Sequence, residues 1–263
     1  MPEVAQSTSA PTPLRAARAY HPPQVVEQMT YEELLGVGSA LERRYAPPRL
    51  WVAGDARLAS GPPRVSIVGS RKASAEGVRR AAKLAAQLAR ARLVVVSGLA
   101  EGVDVAAHRA AIHAGGRTIA VIGTTIDRCY PPHHAGLQTE IYSEHLLISQ
   151  FDPEQPTYPS GFVRRNRLMA LVSHASVVVE AGDSSGTLSQ AAETIRLGRP
   201  LFIMRSLAER EDLDWPKRFI ARGAQILDDI EQLLSALAKG TRDHAVSGSA
   251  VEPVPLVLPG CEV

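Results

Sequence analysis

The amino-acid sequence predicts an α/β protein built on a mostly parallel, doubly wound sheet with helices on both faces. Three observations carry this. Short continuous apolar runs recur at residues 65–68, 93–97, 118–122, 146–149, 176–179 and 201–204, as expected of strands covered on both faces. From residue 65 these runs alternate with alanine-rich or amphipathic stretches of helical length, the order that gives a parallel sheet with right-handed crossovers. Small-residue loops follow four of the strands directly, at the carboxyl edge where an open α/β sheet collects its ligands.

In chain order, residues 1–24 are rich in proline and poor in large apolar side chains, and read as a disordered arm. Residues 25–49 form a short helical lead-in: Thr30-Tyr31-Glu32-Glu33 has the form of a capping box, and Leu34, Leu35, Leu41 and Tyr45 suit one helix weakened by Gly36 and Gly38. Pro47-Pro48 ends it. A short strand at 50–53 turns at Gly54-Asp55. The alternating pattern then gives helices at about 75–91, 103–114, 134–143, 164–173, 187–197 and 228–238, with a proline-rich loop reaching Ser160. The main domain is therefore placed at 50–239, and 240–263 is read as a flexible tail.

The chain has 263 residues, 45% of them hydrophobic, which suits one large domain with ragged ends. Its net charge is only +2, so attraction for a polyanion has to come from local clustering. Such clustering occurs between positions 64 and 92, where Arg64, Arg71, Lys72, Arg79, Arg80, Lys83, Arg90 and Arg92 face one acid, Glu76. For Arg79, Arg80, Lys83 and Arg90 a solvated helix face is the better reading. Cys129 and Cys261 lie far apart without metal-ligand spacing, so neither a disulfide framework nor a zinc site is indicated. No apolar run reaches the length of a membrane span, and a cytoplasmic protein is expected.

The chemistry collects in the loops. After the first parallel strand come Gly69-Ser70-Arg71, where glycine permits close backbone approach, serine offers a hydroxyl and amide, and arginine can fork two hydrogen bonds onto one phosphate. The alternative is a tight turn with Arg71 in solvent. Further small-residue loops begin at Ser97-Gly98, Gly123-Thr124 and Glu180-Ala181-Gly182, the last running through Ser185 to Gly186-Thr187 at a helix start, where amides and the helix dipole favour an anion. Phe162-Val163-Arg164-Arg165-Asn166-Arg167 is a second basic constellation. Its ring suits stacking on a base, its arginines phosphate, and its amide a sugar or base edge. The opposing reading buries Phe162 and leaves the arginines solvated. Asp104 and His108, at i and i+4, could share a hydrogen bond, and fixing the packing of their helix is the stronger role. No Ser-His-Asp order, metal cluster, P-loop or full G-x-G-x-x-G is present, so no catalytic residue, cofactor or metal is assigned.

The stretches V-S-I-V-G-S-R (65–71), V-S-G-L-A-E-G-V-D-V-A-A-H-R-A-A (96–111), I-A-V-I-G-T-T-I-D-R-C-Y-P-P-H-H (119–134) and F-V-R-R-N-R-L-M-A-L-V-S (162–173) together resemble the DNA-processing protein A (DprA/Smf) family, in the family's own order. L-W-V-A-G-D (50–55) is similar too, and the resemblance spans about residues 50–235. It implies an extended Rossmann-like domain that binds single-stranded DNA without sequence preference, forms a homodimer, and helps to load the RecA recombinase during natural transformation. The family's pocket maps to Ser70, Arg71, Phe162, Arg164, Asn166, Arg167, Ser185, Gly186 and Thr187. With the loop argument, the candidate DNA- and phosphate-binding set becomes Gly69, Ser70, Arg71, Lys72, Gly98, Phe162, Arg164, Arg165, Asn166, Arg167, Ser185, Gly186 and Thr187.

The departures are those of a divergent, shortened member. The first 49 residues are short for the family's helical N-terminal module, and the tail is short for its winged helix. S-G-T-L-S-Q-A (185–191) replaces S-G-[ST]-L-I-T-A, and Met204-Arg205-Ser206 replaces V-P-G. Two alternatives come from the same superfamily. A nucleotide phosphoribohydrolase would need P-G-G-x-G-T-x-x-E, for which this chain lacks the Pro-Gly-Gly and has Gln190 at the glutamate. A sensor of a small nucleotide would use the same phosphate loops.

Overall fold

The computed structural model describes residues 20–246 apart from 154, 157 and 184; the remainder of the expected arm and tail, with Cys261, lies outside the described residues. Nine strands form one sheet: β1 (Glu27–Met29), β2 (Leu50–Gly54), β3 (Arg64–Gly69), β4 (Val94–Ser97), β5 (Thr118–Val121), β6 (Leu146–Ser149), β7 (Ala175–Glu180), β8 (Leu201–Met204) and β9 (Gln225–Leu227). Their order is β1-β2-β6-β5-β4-β3-β7-β8-β9. The seven strands from β6 to β9 run parallel, and β1 and β2 extend the β6 edge antiparallel. From β3 the chain winds one way through β4, β5 and β6, then returns to β7 beside β3 and winds the other way. The switch point lies between β3 and β7.

The helices are α1 (Tyr31–Leu35), α2 (Ala40–Tyr45), α3 (Arg57–Ser60), α4 (Ala75–Arg90), α5 (Val103–His113), α6 (Ala135–Glu144), α7 (Ser160–Val172), α8 (Thr187–Arg196), α9 (Arg205–Ala208), α10 (Trp215–Ile220) and α11 (Ile230–Val246). Strand side chains alternate between two cores, as the period of two demands. Val94, Val96, Val121, Ile148, Val178 and Ile203 pack with α7, α8 and α10. Val65, Ile67, Val95, Val177 and Val179 pack with α4, α5 and α11, and α6 covers the same face toward β6. Trp215 is the largest fully buried side chain. A buried hydroxyl relay ties the switch point together: Ser66 Oγ donates to Ser176 Oγ at 2.6 Å, Ser176 shares a 2.8 Å bond with Thr194, and Thr194 Oγ1 donates to the Gln190 carbonyl at 3.0 Å.

Several expectations are corrected. The lead-in is a strand and two helices, because Gly36 at φ +85° stops α1 and Ser39 with Glu42 opens a second capping box. Tyr20 and His21, expected in the arm, are docked: the Tyr20 hydroxyl donates to the Ile126 carbonyl at 3.2 Å and Tyr142 to the His21 carbonyl at 2.9 Å. Helix α11 continues past the expected tail boundary to Val246. Helix α7 begins at Ser160, four residues before the expected start at Arg164, so Phe162 stands on the helix itself.

Candidate nucleic-acid interface

The loops after β3 and β7 open on the switch point, and α7 crosses above them. Together they enclose a cleft of about 620 Å³ lined by Gly69, Ser70, Arg71, Lys72, Phe162, Arg165, Asn166, Ser185, Gly186 and Thr187 of the expected set. Helical geometry selects the α7 members. At 100° per residue, Phe162, Arg165, Asn166 and Met169 share one face, and all four line the cleft.

The same geometry turns Arg164 and Arg167, expected to hold phosphate, away from this cleft. Arg164 lies across the ring of Phe151 at 5.2 Å, beside a second cavity of about 200 Å³. Arg167 lies over Tyr45 at 5.0 Å and pairs with Glu193 at 3.3 Å. Gly98 is below the cleft floor, where a Cβ would overlap the Arg165 guanidinium. Arg165 is itself buried and donates from Nη1 to the Val121 carbonyl at 2.8 Å. It belongs to the floor, facing Asp104, whose carboxyl burial raises and Arg165 partly restores.

Exposed donors remain at the rim. The Arg71 guanidinium sits 4.9 Å from the centroid of the half-buried Phe162 ring, and Tyr130 packs against the same ring at 5.4 Å. Gly123 makes room for it, since a Cβ there would stand 2.5 Å from Phe162 Cδ1. Lys72 is exposed beside Arg71. Backbone amides contribute less than the sequence suggests. Ser70 N donates to the Glu180 carbonyl at 2.7 Å and Lys72 N to Ser70 Oγ at 3.1 Å. Thr187 N donates to Ser185 Oγ at 3.2 Å, and Leu188 N and Ser189 N bond carbonyls of Ser185 and Gly186. The N-terminus of α4 is satisfied by Glu180, which accepts from Ser74 N at 2.8 Å and Ser74 Oγ at 2.5 Å. An anion in this cleft meets guanidinium, ammonium and hydroxyl groups.

Other side chains brace the walls. Asn166 Nδ2 donates to the Gly186 carbonyl at 3.1 Å, and Trp215 Nε1 to the Ala181 carbonyl at 3.2 Å. With its carboxamide oriented to satisfy both neighbours, Gln190 donates to the Asn166 carbonyl and accepts from Ala170 N at 3.2 Å. Asp104 and His108 take separate partners: Asp104 Oδ2 accepts from Ala100 N at 3.4 Å, and His108 Nδ1 meets Thr118 Oγ1 at 2.7 Å. Burial pushes His108 down to about 3, so it is a neutral packing residue. Tyr130 and Met169 are cleft residues that sequence reasoning missed. Tyr130 sits in an aperiodic Pro-containing stretch with no signal to find it, whereas Met169 follows Phe162 at helical spacing. Among the described residues, no group of three or more His, Cys, Asp or Glu could hold a metal, and no helix is long and apolar enough to cross a membrane.

Gly102 holds the rim in place. It has φ +73°, and a Cβ there would overlap the Ser70 carbonyl oxygen and stand 2.7 Å from that of Arg71, both backbone atoms. Gly102→Ala is expected to cost about 1–3 kcal/mol, lowering Tm by about 2–4 °C per kcal/mol in a thermal melt. An unchanged Tm would show that the turn relaxes freely.

Fold and cleft together define a Rossmann-like α/β protein with a cationic ligand cleft at the switch point of its sheet. Residues 27–238 match the family described as DNA recombination-mediator protein A, and the chain belongs to that family. A putative DNA processing protein DprA of Mycobacterium tuberculosis is 36% identical over 212 residues, 79% of this chain, which spans only about half, 54%, of that relative. DNA processing protein DprA of Streptococcus pneumoniae R6 is 35% identical over 190 residues, 72% of this chain and 67% of the relative. The X-ray structure of S. pneumoniae DprA superposes with a TM-score of 0.71 at 32% identity, covering 81% of this chain and 74% of that one. DNA processing protein A from Helicobacter pylori, whose structure is described for its single-stranded DNA binding mode, matches with a TM-score of 0.69 at 25% identity, covering 81% and 96%.

Proposed function

We propose that the cleft binds single-stranded DNA without sequence preference and without catalysing a reaction on it. The observation that carries this is the exposed Arg71 guanidinium stacked on Phe162 at 4.9 Å, beside Lys72, in a cleft wide enough for a nucleotide. A phosphate takes the guanidinium fork and the ammonium, while an unpaired base finds aromatic surface on Phe162 and Tyr130. Positive side chains at the rim read charge, which every sequence carries equally. The floor supports the non-enzymatic part of the reading: Asp104 lies beneath with Arg165, and Gln190 is tied to the α7 backbone. Homodimerisation, aligning two such clefts, and loading of RecA on the bound strand complete the proposal by family membership.

Fluorescence anisotropy with labelled oligo-dT over a salt series tests the proposal. The logarithm of the association constant should fall linearly with the logarithm of salt, by about 0.7 for each phosphate contacted. Duplex of the same length should bind more weakly, because its bases are not free to stack. Micromolar binding of a mononucleotide with no binding of oligonucleotide would favour the sensor reading, and release of free base from a nucleoside monophosphate the hydrolase.

A further inference from the structure

Helix α7 serves two surfaces. One face lines the cleft; Arg167, well round the helix from Phe162, meets α2 and α8 at Tyr45. Three guanidiniums surround that single ring, Arg167 at 5.0 Å, Arg196 at 5.7 Å and Arg44 at 6.0 Å from its centroid. One carboxylate serves the group: Glu193 Oε1 accepts from Arg167 at 3.3 Å and from Arg196 at 3.2 Å. The nearest acid on α2, Glu42, is already taken by Arg199 and the Ser39 amide. Three cations against one carboxylate leave a local excess of two positive charges. Arg44 is exposed and makes no ion pair or hydrogen bond among the described residues, and the Nε of Arg167 is buried without a partner.

We propose that this cluster is a second anion site, taking a phosphodiester of the strand that the cleft holds. The inference rests on the DNA-binding reading above. The ligand is a phosphate because three guanidiniums gather within 6.0 Å of one ring centroid around a single carboxylate and still have donors to give. Placement fits the same strand. Asn166 is in the cleft and Arg167 follows it directly; α8 starts at the cleft with Thr187 and carries Arg196 about 13 Å further along its axis. A few nucleotides of extended strand cover that distance. The ring preorganises the arginines, so little side-chain freedom is left to lose on binding.

The test compares wild-type protein with Arg44→Gln, an exposed substitution, on oligo-dT of about four and about twelve nucleotides. Affinity for the longer strand should drop about three- to tenfold, with a salt slope shallower by about 0.7, while affinity for the shorter strand stays unchanged. Equal losses on both lengths, or none on either, would overturn the proposal. Failure of the wild-type protein to bind either strand would instead sink the DNA reading, and with it the same-strand assignment. Calorimetric titration with tripolyphosphate then decides the site itself: heat that disappears in Arg44→Gln keeps an anion site with a free phosphate as its ligand, and no heat from the wild type ends it.

Discussion

Replacing Arg71 by alanine is expected to lower affinity for an unstructured oligonucleotide about ten- to a hundredfold, and by the same factor for every sequence. A charge-assisted hydrogen bond contributes about 1.5–3 kcal/mol, and each 1.4 kcal/mol is tenfold. The side chain is exposed, so its removal leaves the core intact. Arg71→Lys should recover only part of the loss, since the charge returns without the planar fork that lies on Phe162. Phe162→Ala should cost about 1–3 kcal/mol, and the double variant less than the sum, because the ring also positions the guanidinium. Anisotropy on oligonucleotides of different composition measures all three. A loss confined to one sequence would mean that Arg71 reads a base, contrary to the proposal.

The largest effect on stability is expected from Arg165→Met. The substitution removes the donor to the Val121 carbonyl and leaves the Asp104 carboxyl buried without its counter-charge, at a cost of about 3–5 kcal/mol. The cost depends on pH. Burial already raises the Asp104 carboxyl, and losing Arg165 raises it further. A carboxyl raised above its unfolded value takes up a proton on folding, so its contribution to stability is present below the unfolded value and lost as pH rises through the folded one. The urea midpoint of the variant should therefore increase on acidification from neutral pH, more than that of the wild type. Adding Asp104→Asn should restore much of the loss, and a midpoint that Arg165→Met leaves unmoved would refute the account.

The six parallel strands β3 to β8 were legible because each is a short, mostly apolar run closed by glycine or a polar residue, a pattern set by covering both faces. Strands β1 and β9, three residues each, are too short to show a period. The short helices α9 and α10 escaped for the same reason, although α10 carries Trp215 and Phe219 into the core. Within the cleft, the loop residues followed from the carboxyl-edge rule. The α7 residues did not sort correctly, because Pro159-Ser160-Gly161 reads as loop although the helix has already begun there. That four-residue offset hid the common face of Phe162, Arg165 and Asn166, from which Arg164 and Arg167 turn away. Burial of Arg165 depends on Gly98, 67 positions earlier, a pairing that no local pattern reveals.

The sides of the cleft come from distant parts of the polypeptide, held together where Ser66 and Ser176, 110 positions apart, face each other across the β3–β7 seam. Parallel pairing over such a separation forms late, since the intervening chain must close first. A nascent chain thus has no complete cleft until its second half has returned to the first. A strand bound there as proposed would act as a clasp across that seam, resisting unfolding in proportion to the logarithm of its concentration.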